Sequence, residues 1–268
     1  MGRVLAPTTC PLLAAMTTSH PLPPSARLPW SRFVVAAVLA GCGLLALALD
    51  VPAAVWFREQ PLPKELMRYL SFSEVFGHGL GVAVIMIGVF CLDRSLHFPA
   101  LTWPAIRWPT YQTTAARRHA ARMLGGLVAG PLTVLLLKQA IDRVRPRAAD
   151  LAEAVSAIDT FGRELLSAGP HGSSDLHSFP SGHSATAAAL AAVLIWKYPH
   201  GRWFFLTLAV SACLQRLASS AHYPSDACFG AALGVLGAAI VLGQEPSPTV
   251  YPALTAPPQA TSPPETNP

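Results

Sequence analysis

Apolar residues fall in six dense runs along the chain, at 33–49, 75–92, 123–137, 185–196, 203–214 and 227–242. These runs lack the polar face that a helix on the surface of a soluble protein carries, so the helices they predict are apolar all round. Helices of that kind pack against lipid or against one another. Several runs are shorter than the roughly 20 residues that cross a hydrocarbon core. Each short run adjoins a polar cluster whose residues can extend its helix. Gly77, Gly79 and Gly81, then Gly125, Gly126 and Gly130, are small residues that let helices approach closely in lipid. The pattern predicts an all-α polytopic membrane protein, a six-transmembrane-helix bundle over residues 31–244. Residues 1–30 mix Pro, Ser and Thr without helical periodicity, and 245–268 carry eight prolines, so both ends are expected to be disordered.

Composition agrees with the pattern. Only 12% of the residues are charged and 52% are hydrophobic, about half the charge that solvates an ordinary globule. The formal net charge of +5 would suggest nucleic acid in a soluble protein, but here the basic residues lie between the apolar runs. Arg3, Arg27 and Arg32 precede the first run, Arg94, Arg107, Arg117, Arg118 and Arg122 separate the second from the third, and Lys197 and Arg202 separate the fourth from the fifth. If all six runs cross, these segments share one side. The positive-inside rule then puts both termini in the cytoplasm and the protein in the cell (inner) membrane. No nucleic acid and no obligatory protein partner is expected. Trp103, Trp108 and Tyr111 fit an interfacial segment or a plain loop equally well. The five cysteines, Cys10, Cys42, Cys91, Cys213 and Cys228, show no paired spacing. They read as small packing residues, with no disulfide frame and no zinc site.

On this topology, three polar clusters meet on the non-cytoplasmic face. The first, 138–146, carries Lys138 and Arg145 seven apart, which puts both cations on one helix face if the helix continues that far. They suit an anion or a basic interfacial anchor. The second is Phe179-Pro180-Ser181-Gly182-His183-Ser184. Ser181 can cap the following helix, Gly182 admits close backbone approach, and His183 can exchange a proton near neutral pH. A capped turn with an incidental histidine is the structural alternative. The third runs from Arg216 to Asp226. Pro224 fits the first turn of the last helix, which places Asp226 to reach back to His222. A histidine so oriented is an activated nucleophile or base, or one half of a structural pair.

Taken together, Lys-x6-Arg-Pro, Pro-Ser-Gly-His and Arg-x5-His-x3-Asp resemble the three-part signature of the type 2 phosphatidic acid phosphatase superfamily. The resemblance covers roughly residues 33–243. One position departs from it: the residue before Arg216 is Gln215, where the family usually has Ser. The resemblance implies a metal-independent phosphatase, without a cofactor, acting on a lipid phosphate or polyprenyl diphosphate. It implies His222 as nucleophile, Asp226 as its orienting partner and His183 as acid to the leaving group. Lys138, Arg145 and Arg216 would hold the phosphoryl oxygens, helped by the amides around Ser181 and Gly182. Six membrane-length runs set the chain apart from the soluble haloperoxidases that share the signature. A silent phospholipid-binding protein and a small anion transporter are the competing readings. His78 stands outside the three motifs and reads as a packing histidine with a backbone partner, with contact to a substrate headgroup as the alternative and nearby Glu74 as a candidate partner.

Overall fold

A computed structural model describes residues 30–60, 62–96, 110–170 and 172–243. The expected disorder at 1–29 and 245–268 lies outside the described residues, as do Trp103 and Trp108. Eight helices occur among the described residues: α1 (Trp30–Ala46), α2 (Asp50–Glu59), α3 (Lys64–Ser73), α4 (Gly79–Leu92), α5 (Thr110–Lys138), α6 (Gly182–Lys197), α7 (Arg202–Ala218) and α8 (Pro224–Leu242). Isolated β-bridges link parts of the connection between α5 and α6, and no strand is formed among the described residues.

Each apolar run lies largely in helix, the second interrupted at Gly77 and His78, and the first and third depart most from the expected bounds. The first run continues through a tight turn at Leu47–Leu49 into α2. The third begins earlier than its apolar run. Arg117, Arg118 and Arg122, expected in a connecting segment, lie on the first turns of α5, where the alternating Ala and Arg residues are strong helix formers. By length and apolar character, three helices can cross a membrane: Trp30–Glu59 taken as one, Ala116–Lys138 and Pro224–Leu242. The pair Lys64–Phe76 and Gly79–Leu92, bent by 65°, adds a fourth if it acts as one span. Among the described residues, three or four of the expected six spans are long and apolar enough by themselves to cross. α6 and α7, at 16 and 17 residues, are shorter than the roughly 20 residues typical of a crossing.

Helix α6 sits at the centre, packed on α5, α7 and α8, while α1 and α5 flank α8. Its Ala185, Ala187, Ala189, Leu190, Val193, Leu194 and Trp196 are buried. The outer helices turn large apolar side chains outward: Val34, Val38 and Leu45 on α1, Leu80 and Ile87 on α4, Leu132 and Leu136 on α5, Phe204 and Val210 on α7. Such a surface fits lipid. Cys42 and Cys91 also lie on exposed faces and do not pack in the core.

Glycines allow the closest helix contacts. A Cβ on Gly234 would run into the Ala185 backbone, and one on Gly130 would run into the backbone of Leu233 and Gly234. Gly79, expected to serve the same purpose, faces open space. At one end of the bundle Arg32 Nη1 donates to the Gly243 carbonyl (2.8 Å), Lys197 Nζ to Ser95 Oγ (2.7 Å) and the Tyr198 hydroxyl to Asp93 (2.8 Å). At the other end, the α5–α6 connection folds back as a cap. Its Val144, Ala148, Ala149 and Leu151 form a second small core with Ala54 and Tyr223.

This packing predicts opposite responses at two glycines. Gly230→Ala, whose new methyl would overlap the Ser181 backbone, should destabilise the bundle by roughly 1–3 kcal/mol. Gly79→Ala should be neutral or stabilising by up to about 1 kcal/mol. Thermal unfolding of both variants in detergent checks the pair; equal effects would contradict the packing.

Candidate active site

The capped end of the bundle is organised by Arg143, which is 0% exposed. The backbone amides that follow α5 turn away from helical partners. Arg143 N donates to Leu176 O (2.7 Å), Val144 N to Thr160 O (2.9 Å) and Arg145 N to Asp175 O (2.8 Å). α5 ends at Lys138, so the helix does not continue to Arg145 and the condition for the two cations to share a helix face is not met. The Arg143 side chain spends its donors on four groups. Nη2 binds Asp50 Oδ2 (2.6 Å), Nη1 binds Ser225 Oγ (2.9 Å) and the Asp226 carboxylate, and Nε binds Thr160 Oγ1 (2.8 Å). The guanidinium carbon also lies over the rings of Phe161 and Tyr223, 4.5 Å and 4.3 Å from their centroids. Burial alone would lower this guanidinium's pKa, but the Asp226 and Asp50 carboxylates outweigh it and hold Arg143 above its ordinary value.

Asp226 is the third residue of α8, as expected, with Pro224 in the first turn and Tyr223 at the cap. Its Oδ2 accepts from Tyr223 N (2.9 Å) and from the Ser178 hydroxyl (2.6 Å). His222 Nδ1 stands 3.7 Å from this oxygen and 2.7 Å from the Ser178 carbonyl. A carbonyl only accepts, so Nδ1 carries the proton and a neutral His222 keeps its lone pair on Nε2. The direct bond to the ring therefore comes from the Ser178 backbone, and Asp226 acts on Ser178 as well as on His222. Burial pushes the His222 imidazole down to about 4, against the pull of Asp226, so it is neutral at physiological pH.

The other expected residues surround this histidine. Lys138 Nζ donates to the His177 carbonyl (2.5 Å), and its stem lies 4.0 Å from where a Cβ on Gly182 would stand. Arg145 Nε is buried without a hydrogen-bond partner; burial and then the neighbouring Arg147 lower its pKa. His222 interacts electrostatically with Lys138 and Arg145, and His183 with Arg216, His222, His78 and Arg145. Ser181 caps α6, its hydroxyl accepting from Ser184 N (3.3 Å), while its own amide donates to Asp226 O (3.0 Å). With that amide engaged, the open first-turn amides belong to Gly182 and His183, ahead of the first helical bond from Ala185 N to Ser181 O (3.1 Å). All eight expected residues thus meet at one end of the bundle, a place for an anion between cations and two histidines.

Glu74 joins them. It does not pair with His78; its Oε1 lies 2.6 Å from Arg216 Nη2, and its Oε2 accepts from Gln215 Nε2 (3.1 Å). Gln215 in turn accepts from Arg216 Nε (2.5 Å), so the residue that departs from the usual Ser holds both partners. The His78 ring lies 5.9 Å from that of His183. Arg143, Asp50 and Ser178 were not singled out by the sequence. The available signal was a lone acid closing an apolar run at Asp50, together with one more arginine inside the first cluster.

The helical bundle thus gathers three cations, two histidines and an aspartate at its capped end, an arrangement chemically able to hold an anion. Residues 119–247, just under half of the chain, match the profile of the PAP2 superfamily, to which this part of the chain is similar. It is similar to lipid A 1-phosphatase from Rhizobium johnstonii (strain DSM 114642 / LMG 32736 / 3841), 37% identical over 100 residues, which are 37% of this chain and 36% of that protein. It is also similar to the bacitracin transport permease protein BcrC from Bacillus licheniformis, 34% identical over 70 residues, 26% of this chain and 34% of that protein. The matched segments thus span about a third of the length of these curated relatives. The fold resembles the crystal structure of Aquifex aeolicus LpxE with a TM-score of 0.50 and 19% identity, covering 73% of this chain and 95% of the other.

Asp50→Asn leaves Arg143 with one carboxylate in a site closed to water, and should cost roughly 3–5 kcal/mol of stability. Adding Arg143→Met should cost less than the sum of the two single changes, because both charges then leave together. Denaturant titration in detergent measures the cycle; additive losses would show that the two residues do not act as a pair.

Proposed function

We propose that this protein is an integral-membrane phosphatase that removes phosphate from a lipid phosphate through a phosphohistidine, with its site on the non-cytoplasmic face and both termini in the cytoplasm. The observation that carries this reading is the tautomer of His222: Nδ1 is engaged by the Ser178 carbonyl, leaving the Nε2 lone pair beside the cations. In the first step Nε2 forms a bond to phosphorus, the bond to the leaving oxygen breaks, and His183 gives that oxygen its proton. In the second, water attacks phosphorus, His183 takes its proton, the N–P bond breaks and phosphate leaves. Lys138, Arg145 and Arg216, with the Gly182 and His183 amides, neutralise the phosphoryl oxygens. Phosphoryl transfer asks mainly for this positioning and neutralisation, and three side-chain cations supply it in a mechanism that assigns no step to a metal.

An apolar groove of about 620 Å³ supports an amphiphilic substrate. It runs between the α1–α2 turn and the α5–α6 connection, walled by Val51, Ile158, Phe161, Phe179 and Phe229. Phe179 directly follows Ser178, whose carbonyl holds His222, so a lipid tail in this groove lies close to the chemistry. The similarity to a lipid A 1-phosphatase agrees with a phosphorylated lipid as substrate class.

The two histidines separate by leaving group. His222→Ala should abolish turnover and phosphoenzyme on every substrate. His183→Ala should lose about 10²–10⁴-fold on a lipid phosphate and far less on p-nitrophenyl phosphate, whose leaving group barely needs a proton. Turnover of both variants in EDTA, with rapid-quench trapping of acid-labile phosphate, decides it. An equal His183 defect on both substrates would reverse the assignment.

Orientation is tested separately. A cysteine at Ser173, in a variant lacking the native cysteines, should label with an impermeant thiol reagent in intact spheroplasts, and one at Arg117 only after permeabilisation. The reverse pattern would turn the site to the cytoplasm.

A further inference from the structure

Glu74 lies on the short turn Glu74–Phe76, where the chain breaks between α3 and α4 and bends by 65°. Gly77 lets this turn press onto the start of α6, for a Cβ there would come within 2.8 Å of the His183 carbonyl oxygen. The Glu74 Oε1 atom stands 2.6 Å from Arg216 Nη2 and 3.8 Å from His183 Nε2. That ring nitrogen is buried and has no hydrogen-bond partner. One carboxylate oxygen therefore sits between the guanidinium that takes phosphoryl oxygens and the nitrogen that protonates the leaving oxygen. The ester oxygen of a bound substrate needs the same place.

We infer that Glu74 selects substrates by the charge of the leaving group, favouring phosphate monoesters on an uncharged carrier over diphosphates, whose leaving group is itself a phosphate. The inference rests on the phosphatase reading and on His183 as the acid. When a substrate phosphoryl group takes Arg216, Glu74 loses that partner but not its second one. Gln215 Nε2 still holds Oε2 at 3.1 Å, so the carboxylate stays beside the leaving oxygen. An alcohol leaves past it without a charge conflict. A departing phosphate places like charges about 4 Å apart, which disfavours the reaction about fivefold to tenfold even at the dielectric of water. Lys138 and Arg145 do not relieve this, because they are engaged with the phosphoryl group in transfer.

The test compares initial phosphate release from farnesyl phosphate and farnesyl diphosphate by the full chain in detergent micelles. Glu74→Gln should raise the ratio of kcat/KM for diphosphate over monophosphate about fivefold to tenfold, and Glu74→Asp, which keeps the charge, should leave the ratio near that of the unsubstituted protein. Glu74→Gln should also lower the Ki of inorganic phosphate, since the competing carboxylate is gone. An unchanged ratio, an equal loss on both substrates, or the same shift with Glu74→Asp would overturn the inference. If the unsubstituted protein released phosphate from neither substrate nor from any other lipid phosphate, the phosphatase reading itself would fail, which is a different result.

Discussion

A single buried guanidinium, that of Arg143, holds the functional end of this protein together. It joins Asp50 at the turn from α1 to α2, Thr160 in the α5–α6 connection, and Ser225 and Asp226 at the start of α8. Each of these charges would be costly to bury alone. Buried together with their hydrogen bonds satisfied, they fix the relative positions of three chain segments. An ion pair of this kind contributes less as net stability than as specificity of arrangement, because any other packing of the cap leaves a charge without a partner.

The charges around His222 are divided in a way that suits the proposed phosphoryl transfer. Behind His222 stand two carboxylates against one guanidinium, which would favour the cationic imidazole of the proposed phosphohistidine. Lys138, Arg145 and Arg216 are the cations that would face the phosphoryl oxygens in that proposal. The Ser178 backbone carbonyl, fixed because its hydroxyl is held by Asp226, sets the tautomer between them. Orientation of His222 therefore runs through a chain of contacts, Arg143 to Asp226 to Ser178 to His222, and not through one carboxylate.

Packing elsewhere follows from solvation by lipid. With large apolar side chains turned outward, the helices gain little from apolar burial against one another and rely on close contact at small residues. Gly130 and Gly234 supply that contact between α5, α6 and α8. Helix α6 is enclosed on several sides by its neighbours, so it need not be long or strongly apolar.

The sequence by itself determined the all-helical class and the eight residues that meet at the site. Apolar runs without a polar face leave few other folds, and the three motifs carry their chemistry in fixed local spacings such as Pro224 and Asp226 on the first turn of α8. Tertiary structure alone decided how those motifs meet. Lys138 and Arg145 converge through loop hydrogen bonds and not along a helix, because the amides of 143–145 find partners in Thr160, Asp175 and Leu176. Asp50 and Glu74 gain their roles from partners more than ninety residues away, Arg143 and Arg216. No local pattern marks such a pairing, since a carboxylate's charge acquires meaning only from what folding brings beside it.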